Sequence, residues 1–290
     1  MNTTLDCIPC IVRQGLEAAR FATNDAAVHE QILRELLQDA AVMDLALSPP
    51  AIAQQLHRRV RQLSGMADPY LEVKNRFNAM ASGMLPVLAA EVSGSDAPLF
   101  RALRLAIAGN IIDLGVRGDI SESEARSAID NTLNEPFHGD MNMFRDALQG
   151  ARSILYLADN AGEIVFDRLL IEQLPTDRVT VAVRGGAVVN DATRADAAVA
   201  GLCDLVEVID NGSDAPGTIL SDCSREFRKR FESADLVIAK GQGNYESLSG
   251  EDADIFFLFK VKCSVISAHI GLPVGTHVLQ RQFSEAVTRD

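Results

Sequence analysis

The sequence has no long hydrophobic run and no excess of basic residues. Every apolar segment is shorter than the ~18 residues that a membrane-spanning helix needs, and no apolar signal-peptide core follows the first residues. We therefore expect a cytoplasmic protein without a membrane partner. The 40 acidic residues outnumber the 27 basic ones and give a net charge of −13. Because nucleic-acid-binding proteins neutralise phosphates with clustered Lys and Arg, this balance argues against a nucleic-acid partner.

Cysteine is also scarce, and an odd number of cysteines without a signal peptide is typical of a reducing, cytosolic setting. Cys7 and Cys10 form a CxxC motif, which can be a redox pair, half of a metal site or two structural thiols. No second CxxC completes a zinc site, and no strand precedes the motif as in thioredoxins. The pair stays a candidate for a second metal or for redox chemistry. The five cysteines are Cys7, Cys10, Cys203, Cys223 and Cys263.

The length of 290 residues is typical of one large or two moderate domains. The hydrophobic content of 47% is ordinary for a globular protein. The periodicity of apolar residues changes near residue 150. We therefore predict a helical domain over residues 1–150 and an α/β domain over residues 151–290. In the first domain, helices are predicted over 11–47 with a break at 23–25, then over 51–63, 69–92 with Asp68 as the N-cap, and 99–112.

The second half alternates short apolar strands with helices, which is typical of βαβ units in a parallel sheet. The strands are continuous apolar runs, so both faces of the sheet should be covered by helices. The last two strands are separated by a short connection and are expected to form an antiparallel edge pair. Strands are predicted over 153–158, 179–184, 205–209, 235–239, 255–259 and 263–267, and helices over 162–174, 192–201 and 218–231.

Polar side chains follow four successive predicted strands. Carboxyl ends of parallel strands meet at one edge of the sheet, where such folds bind ligands. Acids, amides, glycines and a lysine concentrated at that edge therefore predict one site. Its candidate residues are Asp159, Asn160, Glu163, Asn190, Asp191, Gly212, Ser213, Lys240, Asn244 and Glu246.

The chemistry that these residues indicate is metal-assisted hydrolysis of a phosphate. Asp159, Asn160 and Asp191 offer hard oxygen ligands for one divalent cation. Lys240 offers a positive charge to the phosphate. The loop 212–217 offers backbone N–H groups close to a predicted helix start. Glu163 could position a water molecule.

Each of these assignments has a structural alternative. Asp159 or Asn160 could simply cap the following helix. Glu163 in the first helical turn could serve only the helix dipole. Lys240 could be an ordinary solvated loop lysine.

Asn110 and Asp113 interrupt an otherwise apolar helical segment. An unpaired buried amide costs roughly 1–3 kcal/mol, so Asn110 needs a partner. Both residues could share one helix face and lend polar groups to the substrate. The alternative is that they cap a helix end locally.

Other nucleotide and hydrolase motifs are missing. There is no Walker A sequence, no GxSxG elbow and no complete GxGxxG motif. The glycines at 241 and 243 lack the third glycine and, as far as the pattern shows, a following helix.

Five segments, in their order along the chain, resemble a known family. They are residues 7–14 with the CxxC, 108–113 (AGNIID), 157–163 (LADNAGE), 189–193 (VNDAT) and 239–246 (AKGQGNYE). The chain resembles the damage-control metal-dependent phosphatases, the domain-of-unknown-function 89 family that includes ARMT1-like proteins. Within that family it resembles the microbial branch, which opens with a CxxC.

This resemblance implies a helical N-terminal region on a Rossmann-like, mostly parallel three-layer α/β domain. It also implies hydrolysis of small phosphorylated metabolites, such as sugar phosphates or damaged metabolites, with Mn²⁺, Mg²⁺, Co²⁺ or Ni²⁺. By resemblance the metal ligands are Asp159, Asn160 and Asp191, and Lys240 contacts phosphate. Many relatives have a proline before the Asn-Asp pair, where this chain reads RGGA at 184–187.

Two other functions are compatible with the same sheet edge. One is a regulatory protein that binds a phosphometabolite or nucleotide without turnover. The other is an S-adenosylmethionine-dependent methyltransferase, because related folds host such enzymes. The substrate, the preferred metal and the oligomeric state are not determined by the sequence.

Overall fold

The computed structural model describes residues 1–109 and 122–283, without the side chains of residues 122, 123 and 125. Within these residues, seven strands form one sheet. They are β1 (Phe137–Gly139), β2 (Ile154–Leu157), β3 (Val179–Val183), β4 (Glu207–Asp210), β5 (Leu236–Lys240), β6 (Ile255–Lys260) and β7 (His277–Gln282). The strand order is β1-β7-β6-β5-β2-β3-β4. Only β6 and β7 pair antiparallel, so the predicted mostly parallel α/β fold is confirmed.

Helices cover both faces of the sheet. Alternate residues of β2 point to two different cores. Tyr156 belongs to the core that contains Phe77 and Phe166, while Leu155 and Leu157 belong to the core that contains Phe227 and Tyr245. The helices are α1 (Cys7–Ala22), α2 (Ala26–Ala41), α3 (Pro49–Ser64), α4 (Leu71–Ser93), α5 (Pro98–Ala108), α6 (Glu122–Leu133), α7 (Met141–Gly150), α8 (Glu163–Ile171), α9 (Arg194–Val199), α10 (Arg225–Ser233), α11 (Gly241–Leu248) and α12 (Ser264–Ile270). None of the helices in the described part is long and apolar enough to cross a membrane.

The first three helices bury an apolar cluster of their own, which includes Ile32 and Leu56. This three-helix unit attaches to the loops that follow the strands. Gln54 and Arg58 on α3 both bond to Asp214, which lies beyond β4. The unit therefore lies against the carboxyl edge of the sheet, where the candidate site was predicted.

Several predicted elements need correction. The segment 263–267, predicted as a strand, is instead the N-cap and first residues of helix α12, because short apolar runs do not distinguish a strand from a helix. The antiparallel partner of β6 is instead β7, which the pattern missed. α10 begins at Arg225 rather than at 218, and α4 begins at Leu71, with Tyr70 rather than Asp68 as its N-cap. The two glycines at 241 and 243 lie inside the first turn of helix α11, whereas the pattern had predicted no helix there.

The division at residue 150 stays a prediction. The structure adds that β1, inside the predicted helical part, joins the sheet beside β7. A strand of three residues is too short to show a period of two in the sequence. α4 and α5 also contribute Phe77 and Leu105 to the same core as the sheet.

Candidate active site

The candidate residues gather where three neighbouring strands end. β2 lies between β5 and β3, and Leu157 pairs with Ala239 on one side and Ala182 on the other. The residues that follow these strands therefore reach the same edge. From β2 the chain continues to β3 and β4 on one side, and it then crosses to β5 on the other side of β2. This reversal of strand order is the usual position of a ligand crevice in such sheets.

Asp159, Asn160 and Asp191 are brought together and buried, with at most 7% of each residue exposed. Asn160 and Asp191 form an antiparallel bridge between the loops after β2 and β3. The Ala192 N–H donates to the Asp159 carbonyl at 2.8 Å, and the Ala161 N–H donates to the Asn190 carbonyl at 2.8 Å. These backbone hydrogen bonds fix the two loops against each other, so the side chains of Asp159, Asn160 and Asp191 are attached to a backbone of fixed geometry.

Neither Asp159 nor Asn160 is the N-cap of α8. The N-cap residue is Gly162, whose N–H donates to Asn78 Oδ1 of α4 at 2.7 Å. Asn78 also donates to Asp196 at 2.7 Å and is itself buried. The amide of Asn78 thus holds the start of α8 from a distant helix, and the side chains after β2 are not used as caps.

Val189 holds the Asn190-Asp191 pair in an unusual turn. Its φ is +44°, a left-handed conformation that β-branched residues rarely adopt. Such strain costs about 1–3 kcal/mol and persists where surrounding contacts determine the conformation. Val189 packs against the apolar cluster of α1–α3, so the three-helix unit helps to position Asp191.

Lys240 is fully buried, which excludes the alternative of a solvated loop lysine. Its Nζ donates to Glu163 Oε1 at 2.7 Å, to Asp167 Oδ1 at 2.5 Å and to the Ala106 carbonyl at 2.9 Å. Burial lowers the pKa of Lys240, but the carboxylates of Asp167 and Glu163 outweigh it and hold the pKa above its usual value. All three N–H groups are used, so the predicted contact with phosphate stays a prediction and would require one of these bonds to break.

Asp167 is a buried carboxylate that the sequence reasoning missed. Burial raises the pKa of Asp167 to about 6, opposed by the ammonium of Lys240. Its signal in the sequence is an acid four residues after Glu163, inside an otherwise apolar helix. Such a residue needs a buried partner, because an unpaired charge in a core is expensive.

Arg184 is the second cation at this edge and was not among the predicted site residues. It is only 2% exposed, and its Nε donates to Asp191 Oδ2 at 2.6 Å. Its Nη2 lies 3.8 Å from Asp159 Oδ1. The sequence signal was the same as for Lys240, a basic residue at the carboxyl end of a buried strand.

The buried carboxylates at this edge favour the binding of a divalent cation. More carboxylates than cations are buried at this edge: the acids are Asp159, Glu163, Asp167 and Asp191, and the cations that contact them are Lys240 and Arg184. Burial, together with the carboxylates of Glu163 and Asp191, raises the pKa of Asp159 well above its usual value. A bound dication would neutralise this excess, and hard oxygen donors suit Mg²⁺ or Mn²⁺.

The donor set for such a cation is two carboxylates and an amide. In the described part of the chain, no three His, Cys, Asp or Glu side chains are arranged to hold a metal by themselves. The candidate set instead combines Asp159 and Asp191 with the amide of Asn160. Asn160 Nδ2 donates to Asp159 Oδ2 at 3.0 Å, so the amide oxygen is the atom left to act as a ligand.

Gly241 gives Asp159 the space that it occupies. A Cβ on Gly241 would lie 1.9 Å from Asp159 Oδ2, and its φ is +81°. Gly271 has a similar φ of +73° but nothing within 4 Å of a Cβ. An alanine at either glycine would carry the energetic cost of the left-handed backbone, but only an alanine at 241 would also collide with the Asp159 carboxylate.

We expect Gly241→Ala to displace Asp159 and to lower any metal-dependent activity by more than about 10-fold, with a stability loss of about 2 kcal/mol or more. Gly271→Ala should lose about 1 kcal/mol from the left-handed backbone alone and keep its activity. Urea denaturation and initial rates measure the two effects. Equal behaviour of the two variants would contradict the close contact at Asp159.

The loop after β4 does not form the predicted anion cradle at a helix start, because α10 begins only at Arg225. Its N–H groups are already bonded: Gly212 N–H to Asp210 Oδ1 at 3.2 Å and Ser213 N–H to Asn211 Oδ1 at 2.9 Å. Local side chains thus compete for the backbone donors. Substrate contact by Gly212 and Ser213 stays a prediction.

Asn244 links the strand ends rather than presenting a free amide. Its Oδ1 accepts from Arg184 at 3.3 Å and from Thr218 at 2.8 Å. Its Nδ2 donates to the Ala158 carbonyl at 3.3 Å and to the Lys240 carbonyl at 2.7 Å. These bonds use its full capacity, so a substrate contact, which stays a prediction, would have to replace one of them.

Glu246 and Asn190 lie at the same edge. Burial raises the pKa of Glu246 to about 7, against the opposing charges of Lys262 and the N-terminal amine. Its Oε1 accepts from Gln242 at 2.8 Å. Asn190 is buried next to Asp191. Their predicted contacts with substrate stay predictions, and Asn110 and Asp113 lie outside the described residues.

The CxxC motif starts α1. Both thiols are free, and Cys10 is exposed. Cys7 Sγ lies 3.5 Å from Thr4 Oγ1, and Arg13 donates to Cys10 Sγ at 3.7 Å. These contacts favour none of the three roles considered for the motif, so a second metal or redox function stays a prediction.

Known proteins resemble this chain over nearly its whole length. A family model for the damage-control phosphatase ARMT1-like domain matches residues 3–278. A damage-control phosphatase of Archaeoglobus fulgidus is 36% identical over 279 residues, which cover 94% of this chain and 96% of that protein. One of Pyrococcus horikoshii is 33% identical over 289 residues, covering 97% and 98%. The crystal structure of a DUF89 family protein from P. horikoshii matches with a TM-score of 0.87 and 29% identity, covering 97% of this chain and 99% of that one.

Proposed function

The chain belongs to the damage-control phosphatase ARMT1-like family, and we propose that it hydrolyses phosphomonoesters of small metabolites with a divalent metal. The observation that carries this proposal is the meeting of Asp159, Asn160 and Asp191 at adjacent strand ends, where their buried oxygens lie close together. Relatives named phosphatases support the reaction class. The metal and the substrate are the proposed part.

Asp159, Asn160 and Asp191 would hold the cation. When bound, a divalent metal polarises a phosphoryl oxygen and lowers the pKa of a coordinated water. The chain itself supplies a rigid frame, because Lys240 ties Glu163 and Asp167 to the end of β5. Glu163 is buried three residues after Asn160. Asn160 Nδ2 donates a hydrogen bond of 3.4 Å to Glu163 Oε2. It is thus close enough to orient groups bound by the ligand set.

The test is phosphate release from a panel of sugar phosphates and nucleotides by the purified chain. The protein is first stripped with EDTA and then supplied with Mn²⁺, Mg²⁺, Co²⁺ or Ni²⁺, and the metal content before stripping is measured by mass spectrometry. We expect release only with added metal. Full activity in metal-free protein would contradict the proposal.

The same experiment separates the two rival functions. A regulatory protein would show ligand-induced shifts of its melting temperature without phosphate release. A methyltransferase would bind S-adenosylmethionine in a calorimeter, with or without metal. Relatives named phosphatases over 94% or more of the chain favour hydrolysis over both.

A further inference from the structure

We propose that Arg184, rather than Lys240, is the cationic side chain that binds the substrate phosphate. The inference rests on the proposed phosphatase function and names a contact within the same site. It starts from one atom: Arg184 Nη2 is buried and makes no hydrogen bond to any residue that the structure describes. Buried charged donors are nearly always paired, so one without a partner needs an explanation.

The bonds of the guanidinium leave one edge free. Nε donates to Asp191 Oδ2 at 2.6 Å, and Nη1 donates to Thr218 Oγ1 and Asn244 Oδ1, both at 3.3 Å. Three of its five N–H groups are thus used, and both remaining N–H groups are on Nη2. Asp159 Oδ1, at 3.8 Å, is too far away for a hydrogen bond.

The position of this edge fits an anion held at the predicted cation. Arg184 contacts Asp191 and lies beside Asp159, the two carboxylates of the candidate ligand set. A phosphate oxygen bound at that set would therefore approach the guanidinium. Arginine is suited to this contact because its planar N–H groups match phosphate oxygens and it stays charged.

Lys240 is less suited, because its three N–H groups already serve Glu163, Asp167 and Ala106. Arg184 is also held in place by Asn244 on α11. Asn244 accepts from Nη1 while its own amide donates to the Lys240 carbonyl at 2.7 Å. The frame fixes the guanidinium before a ligand arrives, which lowers the entropic cost of binding.

The competing role is structural: Arg184 could serve only to orient Asp191. The two roles differ in what a substitution removes. Loss of an orienting partner would weaken metal binding first, and phosphate binding only as a consequence. Loss of a phosphate contact would weaken phosphate binding while the metal still binds.

We would measure Mn²⁺ affinity by electron paramagnetic resonance and the affinity of Mn²⁺-loaded protein for inorganic phosphate by calorimetry. The variants are Arg184→Met and Arg184→Lys. Arg194→Met is the matched control, because this arginine is exposed and bonds Asp210 at 2.8 Å. Neither readout requires turnover, so the result does not depend on finding the substrate.

We expect Arg184→Met to weaken phosphate binding by about 10- to 100-fold, the usual value of a charged hydrogen bond, with Mn²⁺ affinity within about fivefold of wild type. The phosphate affinity of Arg184→Lys should lie between those of wild type and Arg184→Met. The control Arg194→Met should bind phosphate and Mn²⁺ as wild type does. Where a substrate is turned over, KM should rise more than kcat falls.

Three results would overturn the proposal. They are unchanged phosphate affinity in Arg184→Met, a parallel loss of Mn²⁺, or no phosphate binding by the Mn²⁺-loaded wild type. If Arg184→Met does not fold, Arg184→Lys decides by the same criteria. Phosphate binding that depends on Arg184 in a chain without hydrolytic activity would support this contact and contradict the phosphatase function.

Discussion

Asp159→Asn is expected to abolish metal-dependent phosphate release while leaving the metal-free protein at least as stable as wild type. The substitution keeps the shape of the side chain and removes one of the crowded negative charges. Because burial and the neighbouring carboxylates raise the pKa of Asp159, its ionised form is disfavoured in the folded state. A neutral amide avoids that cost, and substitutions of this kind at functional sites often stabilise by about 0.5–2 kcal/mol.

Activity and stability are measured on the same preparation. We expect kcat/KM to fall by more than about 100-fold, because loss of a ligand should exceed the effect of a substitution beyond the ligands. The stabilisation that Mn²⁺ gives wild type in thermal unfolding should also disappear. The control is Asp210→Asn at the end of β4, where the side chain is 39% exposed and pairs with Arg194. Retained activity in Asp159→Asn would contradict the site.

Lys240→Met is expected to destabilise the fold by about 3–5 kcal/mol, because it leaves two buried carboxylates without their cation. The exposed fraction is 0% for the lysine and for Asp167, and 2% for Glu163. Water therefore cannot replace the lost partner. An effect of this size is a large part of the stability of an ordinary domain.

Urea denaturation of three proteins tests the origin of that loss. Lys260→Met is the surface control, because Lys260 is 23% exposed and pairs with the partly exposed Glu135; it should cost less than about 1 kcal/mol. The triple variant Lys240→Met, Glu163→Gln, Asp167→Asn should recover much of the loss, since no unpaired charge remains. A triple variant no more stable than the single one would show that packing, not charge, is the reason.

These two predictions assign different roles to neighbouring acids. Burial and the neighbouring carboxylates raise the pKa of Asp159, and perturbed pKa values of this kind are typical of functional sites. Glu163 and Asp167 have a permanent cation in Lys240. Glu163 and Asp167 thus share a buried cation. Asp159 belongs to the set of oxygens that we propose as metal ligands.

Local patterns in the sequence were sufficient for much of the fold. Continuous apolar runs predicted β2 and β3 to within about two residues, and the acid-amide pair after β2 marked the site. These features follow from short-range geometry, because a buried strand and the turn after it are encoded in adjacent residues. Where local signals were weak, as in the three-residue β1 or the apolar run before α12, the prediction missed the element or gave it the wrong type.

The sequence by itself determined the mostly parallel α/β fold, the edge where polar residues collect and the family resemblance. Only the tertiary structure decided which charges are paired. Lys240 finds Glu163 and Asp167 across 77 and 73 positions of sequence, and Arg184 finds Asn244 across 60. No periodic pattern encodes such distant contacts, since they depend on how loops from separate strands pack. That packing neutralises Lys240 and leaves Arg184 Nη2 beside Asp159 as the open position of the site.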